Sequence, residues 1–567
     1  MYVSALWPAV LGALAAASYA KPTKSRSVSL SRRAPAGPEY VSTEDGRFVV
    51  NGSALNFVGT NVYWLAALDK EEDVDKTLAD IAAAGIKVVR TWGFNDVVDI
   101  PETGTWFQQI KDGKVVAVNE GPNGLQKLDK VIELAEKHGI YVLVSLTNNW
   151  NPQSADDGSS LLTSRENDGT TSSNNNRSRN ELSNDYGGMD VYVREFGLKD
   201  HDEFYKNPSL VDAFKNYTSQ VVKRYVNKPS LFGWELANDP RCNSTLPAGG
   251  CTPKDVTKWH ADIADHIRTI DTNHLISSGN GGYFCLDCPK LFPLAPAPPP
   301  PAASPAPGSR RRSQPLTKRK LLRDRVETMK KRRSATPQPI SGGRRIRGRW
   351  APTSTRRQED LQAVGPAYDG SYGIDSQDIA NIPNMDFGSF QYFPDQNKYG
   401  PDDPNLTPFE NVVNTGNEWI RQQGEVSSTY GKPITLNAFG LVTQDNLPHF
   451  SPFNTAPFGS DAPPAQAPIG VSNDQRNDAY KSWIDTGLTS GLTSMFQYQW
   501  GQPELSVSPG TPVGISTDST GVVTTGGTTG VSPNDGYSIN DQGRQSVIDV
   551  IQQGNQAFGS DALLSRR

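Results

Sequence analysis

Eight short apolar runs, each followed by polar residues and several by a stretch of helical periodicity, constrain this chain more than any other feature. They lie at 56–60, 87–92, 141–146, from Leu231 onward, 274–278, 387–393, 433–438 and 494–500. Between them, 74–84 and 125–138 carry apolar residues at helical spacing. Strands alternating with helices build a parallel sheet covered by helices. Eight such units predict an α/β fold, an eight-stranded parallel (β/α)8 TIM barrel. The 567 residues exceed one barrel of roughly 250 to 400, so the excess must sit in loops and tails.

Residues 1–20 are apolar and Ala-rich and end in Ser18-Tyr19-Ala20, the pattern of a secretory signal peptide. Residues 21–38 read as a basic spacer or propeptide, with Arg32-Arg33 as a processing site. The barrel is then expected over 39–292 and 358–558, with a tail at 559–567. Between the two parts, 293–357 opens as a Pro-rich run and becomes dense in Arg and Lys. This insertion falls between the fifth and sixth strands and is expected to be disordered, with a short helix around 321–331. It reads as a solvated linker or as a surface for acidic wall polymers or membranes; the signal peptide argues against a nucleic-acid role. Without it the barrel is about 16 charges more acidic than the whole chain, whose net charge is −5, which favours neutral or cationic ligands. A second insertion, 152–184, rich in Ser, Asn, Asp and Gly, reads as a long loop over the barrel mouth. Past the leader, no apolar stretch is long enough to span a bilayer.

Secretion gives the four cysteines a meaning. Cys242, Cys251, Cys285 and Cys288 can pair in an oxidising compartment, and pairing within each close couple is the simplest of three connectivities. Zinc is disfavoured for want of nearby His, and neither metal nor cofactor is expected. Sequons at Asn51, Asn176, Asn216, Asn243 and Asn405 fit a glycoprotein.

The barrel mouth should collect the residues at the carboxyl ends of the strands: Trp64, Arg90, Trp92, Asn149, Trp150, Asn238, Asp239, Gln391, Phe393, Tyr498 and Trp500. Flat aromatics interleaved with amides and carboxylates suit a carbohydrate, whose rings offer apolar faces and hydroxyls together. For each Trp taken alone, barrel core is an equal reading.

Specific motifs then carry a resemblance. Gly59-Thr60-Asn61-Val62-Tyr63-Trp64, Val89-Arg90-Thr91-Trp92, Leu146-Thr147-Asn148-Asn149-Trp150, Tyr186-Gly187-Gly188-Met189, the run from Trp234 to Arg241, and Asn534-Asp535-Gly536-Tyr537 resemble glycoside hydrolase family 5, and within it secreted fungal endo-β-1,4-mannanases. The resemblance implies an extracellular, monomeric hydrolase of mannan or a related β-linked hexose polysaccharide, with no nucleic-acid partner, working by a retaining pair of Glu residues. Residue by residue, the family's Asn-Glu-Pro reads Asn238-Asp239-Pro240 here, which withdraws the acid/base by one methylene. The nucleophile strand reads Asn437-Ala438-Phe439-Gly440, so Ala438 stands where the nucleophilic Glu belongs, and a methyl group cannot attack. Gln391 and Phe393 replace an imidazole and a hydroxyl, and Tyr498 replaces a platform Trp. Arg90, which in the family braces the catalytic carboxylate, and Asn238 are retained. Three readings follow: a hydrolase rebuilt around Asp239 with Asp445, Asp395 or Glu235 activating water, a carbohydrate-binding or wall-associated protein without catalysis, and a surface protein working through its basic insertion.

Overall fold

Val, Ile, Leu and Phe fill eight fully or nearly fully buried strands, each covered on its outer side by the helix or loop that follows. The structure, a computed structural model, describes residues 39–152, 180, 182–295, 316–335, 365–452, 468–506, 516–517, 523–524, 530–539 and 543–564. The leader at 1–20, the spacer at 21–38, most of the 152–184 stretch with its sequon at Asn176, and the greater part of the basic insertion lie outside these residues.

The strands are β1 (Phe57–Asn61), β2 (Val88–Trp92), β3 (Tyr141–Ser145), β4 (Leu231–Glu235), β5 (Leu275–Ser277), β6 (Gly388–Tyr392), β7 (Ile434–Phe439) and β8 (Ser494–Gln497). They pair in parallel in the order β5-β4-β3-β2-β1-β8-β7-β6. A further parallel bridge, Ser277 to Phe387, joins β5 to the start of β6 and closes the ring. Each of the eight runs read from the sequence is therefore a barrel strand, as expected.

The long helices are α1 (Glu71–Ala83), α2 (Leu125–Lys137), α3 (Pro208–Tyr225), α4 (Pro253–Arg268), α5 (Lys318–Ala335), α7 (Pro408–Tyr430), α8 (Asn473–Thr489) and α9 (Arg544–Leu564), with the five-residue α6 (Ser376–Ala380) before β6. Local chemistry sets their starts. Thr407 with Glu410 and Ser472 with Gln475 form reciprocal capping boxes at α7 and α8, each contributing about 1 kcal/mol. Below the barrel, three short antiparallel strands at 42–54 bring fully buried Phe48 against Phe57, Phe232 and Phe387. These rings come from the first residues of β1 and β4 and the approach to β6, so they seal the amino-terminal end and leave the chemistry to the other.

The cysteines pair within each couple, Cys242 with Cys251 and Cys285 with Cys288. The sequon residues Asn51, Asn216, Asn243 and Asn405 are exposed. No helix among the described residues is long and apolar enough to cross a membrane.

The basic insertion departs from expectation. The helix anticipated around 321–331 is the 18-residue α5, and its first turns are packed on the barrel. Leu316 and Leu321 are buried in the main core, Lys320 Nζ lies 2.5 Å from Glu425 on α7, and the Arg325 guanidinium stacks 5.1 Å above the Tyr368 ring. Two leucines among many charges were too sparse a signal to read as an anchor.

Candidate active site

Asp239 sits four residues past β4, where the Asn-Asp-Pro step turns the chain out of the strand. Its φ is 50°, a left-handed conformation that Asp tolerates better than most residues. The turn is held by the Asp239 N–H, which donates to the Gly279 carbonyl at 2.9 Å. A Cβ on Gly279 would fall 1.7 Å from the Ala237 carbonyl oxygen, so only glycine allows this approach.

The shortened carboxylate is clamped from both sides. Trp150 Nε1 donates to Oδ2 at 3.0 Å, Arg241 Nε donates to Oδ1 at 3.1 Å, and Arg241 Nη2 lies 2.9 Å from Oδ2. Burial works against the Arg241 charge, but the Asp239 carboxylate and the ring oxygens of Tyr283 and Tyr372 overcome it and raise its pKa above the ordinary guanidinium value. Both Asp239 oxygens thus accept from side chains of the site.

Beneath the mouth lies a second, deeper pair. Arg90, in the middle of β2, grips Glu235 through Nε at 3.1 and 3.0 Å and through Nη2 at 2.5 Å, with both side chains at most 1% exposed. Its remaining donors reach Asn61 Oδ1 at 2.9 Å and Asn238 Oδ1 at 2.8 Å, and Asn437 Nδ2 donates to Glu235 at 2.9 Å. Gln391 Nε2 donates to Asn238 at 3.2 Å. Where the resemblance has Arg90 bracing the catalytic carboxylate, here its ionic partner is Glu235.

Strand ends from opposite sides of the ring meet over this frame in one pocket. Arg90, Trp92, Trp150, Asn238, Asp239, Gln391, Phe393, Ala438 and Tyr498 all line it. Phe393 packs edge-on against Tyr498 and Tyr537 at 5.3 and 5.2 Å between centroids. The cavity holds ≈ 30 Å³, against roughly 300 Å³ or more for an ordinary ligand site. The cavity has room for a small polar group but not for a ring-sized ligand.

Three of the residues expected at the mouth do not line the pocket. Trp64 and Trp500 are wholly buried, with Trp500 donating to Gln502 at 2.9 Å and covered by Arg544. Asn149 is spent on structure: its Oδ1 accepts from the Arg241 backbone N–H at 2.9 Å and lies 2.9 Å from His201 Nε2. The barrel-core reading holds for the two tryptophans.

The carboxylates considered for water activation are also elsewhere. Glu235 lies under the floor, Asp445 is exposed with Asn473 as donor at 3.3 Å, and Asp395 lines a separate 250 Å³ cavity. Burial pushes the Asp395 carboxyl up to about 7, against the lowering effect of the Val442 N–H at 3.0 Å. The second carboxylate on the pocket is instead Asp535, joined there by Ser183, Asn184, Gln396, Ser451 and Tyr537. Asp535 accepts from Tyr498 Oη at 2.6 Å, Ser183 Oγ at 3.1 Å and Gln499 Nε2 at 2.7 Å. Only the Asn-Asp-Gly-Tyr motif hinted at it.

A closed parallel barrel with a polar, aromatic-lined pocket at the carboxyl ends of its strands has the architecture on which many hydrolases are built. Comparison makes this specific. Residues 48–285 match the model of the cellulase family, glycosyl hydrolase family 5. Over 238 residues, 42% of this chain and 53% of the relative, the sequence is 37% identical to mannan endo-1,4-beta-mannosidase A of Podospora anserina. It is 34% identical over 245 residues, 43% of this chain and 53% of the relative, to a probable mannan endo-1,4-beta-mannosidase A-1 of Aspergillus terreus. The chain spans about half the length of these curated relatives. The fold is shared with the endo-1,4-beta-mannanase of Rhizomucor miehei, at a TM-score of 0.54 and 22% identity, covering 92% of this chain and all of that one. A hyperthermostable mannanase of Thermotoga petrophila shares it at a TM-score of 0.51 and 20% identity, covering 88% and 99%. The resemblance to family 5 and its mannanases therefore holds.

Proposed function

We propose that this chain is an extracellular, monomeric mannanase-like protein that binds β-linked hexose polymers, mannan or a relative, across its barrel mouth and hydrolyses them slowly or not at all. One observation supports the reading: Ala438, which the resemblance aligns with the nucleophile, lines the pocket, and both oxygens of Asp239 are clamped by Arg241 and Trp150. A covalent route needs a positioned nucleophile, and an acid role needs a proton directed at the leaving oxygen. Aromatic and amide contacts bind ground state and transition state alike, so they persist without rate enhancement. Two disulfides suit an oxidising compartment.

Calorimetric titration with β-1,4-mannan oligomers tests the binding. Wild type should bind and Trp150→Ala should bind more weakly, whereas absence of any sugar binding would move the assignment to a structural role. A rebuilt hydrolase is the second reading, favoured by the presence of both Asp239 and Asp535 on one pocket. An inverting pair needs carboxyl groups roughly 6.5 to 9.5 Å apart with a water between them. Hydrolysis abolished by either Asp239→Asn or Asp535→Asn would establish it.

A further inference from the structure

The turn that leaves β6 divides its side chains between two cavities. Gln391, Phe393 and Gln396 line the mouth pocket, while Pro394, Asp395 and Asn397 line the separate cavity of 250 Å³. The 398–408 loop and the start of α7 wall this second cavity on one side, and Ile469, four residues before α8, lines it as well. A smaller cavity of 110 Å³ adjoins it and shares Tyr399, Asp403 and Thr415. Together they reach the size of an ordinary ligand site, which the mouth pocket of ≈ 30 Å³ does not.

The lining selects the ligand. Asp395 is 4% exposed, and its Oδ2 accepts from the Val442 N–H at 3.0 Å. Beyond that donor and its own backbone N–H, the carboxyl meets no other among the described residues. Its second oxygen is therefore left to the cavity that it lines. A buried acid without a counter-charge resists ionisation, and burial accordingly holds Asp395 up at about 7. Asp402, exposed on the rim, and Asp403, which holds the Asn405 backbone and side chain, add two more carboxylates. Against these three stands the ammonium of exposed Lys398; Arg325 and Glu418, one charge of each sign, line only the smaller cavity. The balance is negative, in keeping with an acidic barrel, and favours a cation.

No group of three or more His, Cys, Asp or Glu among the described residues is placed to hold a metal ion, so the cation is an organic one. Pro394, Pro404, Leu406, Pro408 and Ile469 supply apolar surface for its carbon body. We propose that the cavity between the β6 loop and the approach to α8 is a second binding site, which takes a ring-sized ligand through a primary ammonium group held by Asp395 and Asp402. Hexosamines and aliphatic polyamines both carry that group; the compact cavity favours the hexosamine. The site shares no carboxylate with the mouth, and the inference stands without the reading of the mouth as a glycan site.

The test is calorimetric titration of the full chain at about pH 7 and about 20 mM salt, with glucosamine, N-acetylglucosamine, spermidine and mannohexaose as probes. Wild type should bind glucosamine and not N-acetylglucosamine, whose amide removes the charge. Asp395→Asn keeps the acceptor for the Val442 N–H and should bind glucosamine on the order of tenfold or more weakly. Asp402→Asn, at an exposed position, should weaken it severalfold with an unchanged melting temperature. Mannohexaose binding should be the same in all three proteins. Tighter binding of spermidine than of glucosamine would assign the ammonium to a polyamine instead of a sugar. Binding of neither amine, equal binding of N-acetylglucosamine, or glucosamine binding untouched by both substitutions overturns the site. Failure to bind mannohexaose counts against the mouth reading alone.

Discussion

Replacing Arg241 by Met should strand a buried charge. Arg241 and Asp239 are 3% and 2% exposed, and Arg241 also donates to Tyr283 Oη at 3.0 Å and Asn397 Oδ1 at 3.1 Å. Its guanidinium lies 4.8 Å from the ring centroids of both Tyr283 and Tyr372. Removing one partner of such a pair costs about 3–5 kcal/mol, chiefly because the other charge is left buried and uncompensated. The pair itself contributes far less, so Arg241→Met/Asp239→Asn should regain most of the loss, and Asn tolerates the φ of 50° at 239. Urea unfolding of wild type, both single variants and the double variant closes the cycle. A loss below about 1 kcal/mol in Arg241→Met, or a double variant as unstable as the sum of the singles, would refute the clamp.

Other perturbations probe the frame. Asp395, raised to about 7 when folded, binds a proton that the unfolded chain has already released between about pH 4 and 7. Stability should therefore fall as pH rises through that window, by up to roughly 4 kcal/mol, and level off above it; urea titrations should show no such fall in Asp395→Asn. Phe48→Ala empties the plug at the foot of the barrel and should cost about 3–5 kcal/mol by denaturant unfolding. Cys242→Ser/Cys251→Ser releases a loop spanning nine residues in sequence and should cost about 2–3 kcal/mol, as should mild reduction of the wild type, both read as a lowered melting temperature.

Most of the barrel was legible because buried parallel strands leave short apolar-rich runs, as at 141–146, where Ser145 is the single small polar interruption. The mouth was legible in part. Motif positions such as Arg90, Asn238, Asp239 and Ala438 converge, but nothing local separates Trp150, which reaches Asp239, from Trp64 and Trp500, whose rings are enclosed. Exposure there depends on loops distant in sequence. The partnership of Arg90 with Glu235 spans 145 positions, and Asp535 arrives from a loop well beyond β8; neither leaves a trace in periodicity. The seating of α5 rests on Leu316 and Leu321, two side chains whose partners come from the barrel.

Whether the pocket cleaves glycans is read most simply from the time course of mannohexaose hydrolysis. Wild type and Asp239→Asn should give the same turnover, far below the 1 to 1000 per second that is on the order of ordinary enzymes, while wild type retains the oligosaccharide. Turnover within that ordinary range, abolished by Asp239→Asn, would instead establish a working active site at Asp239.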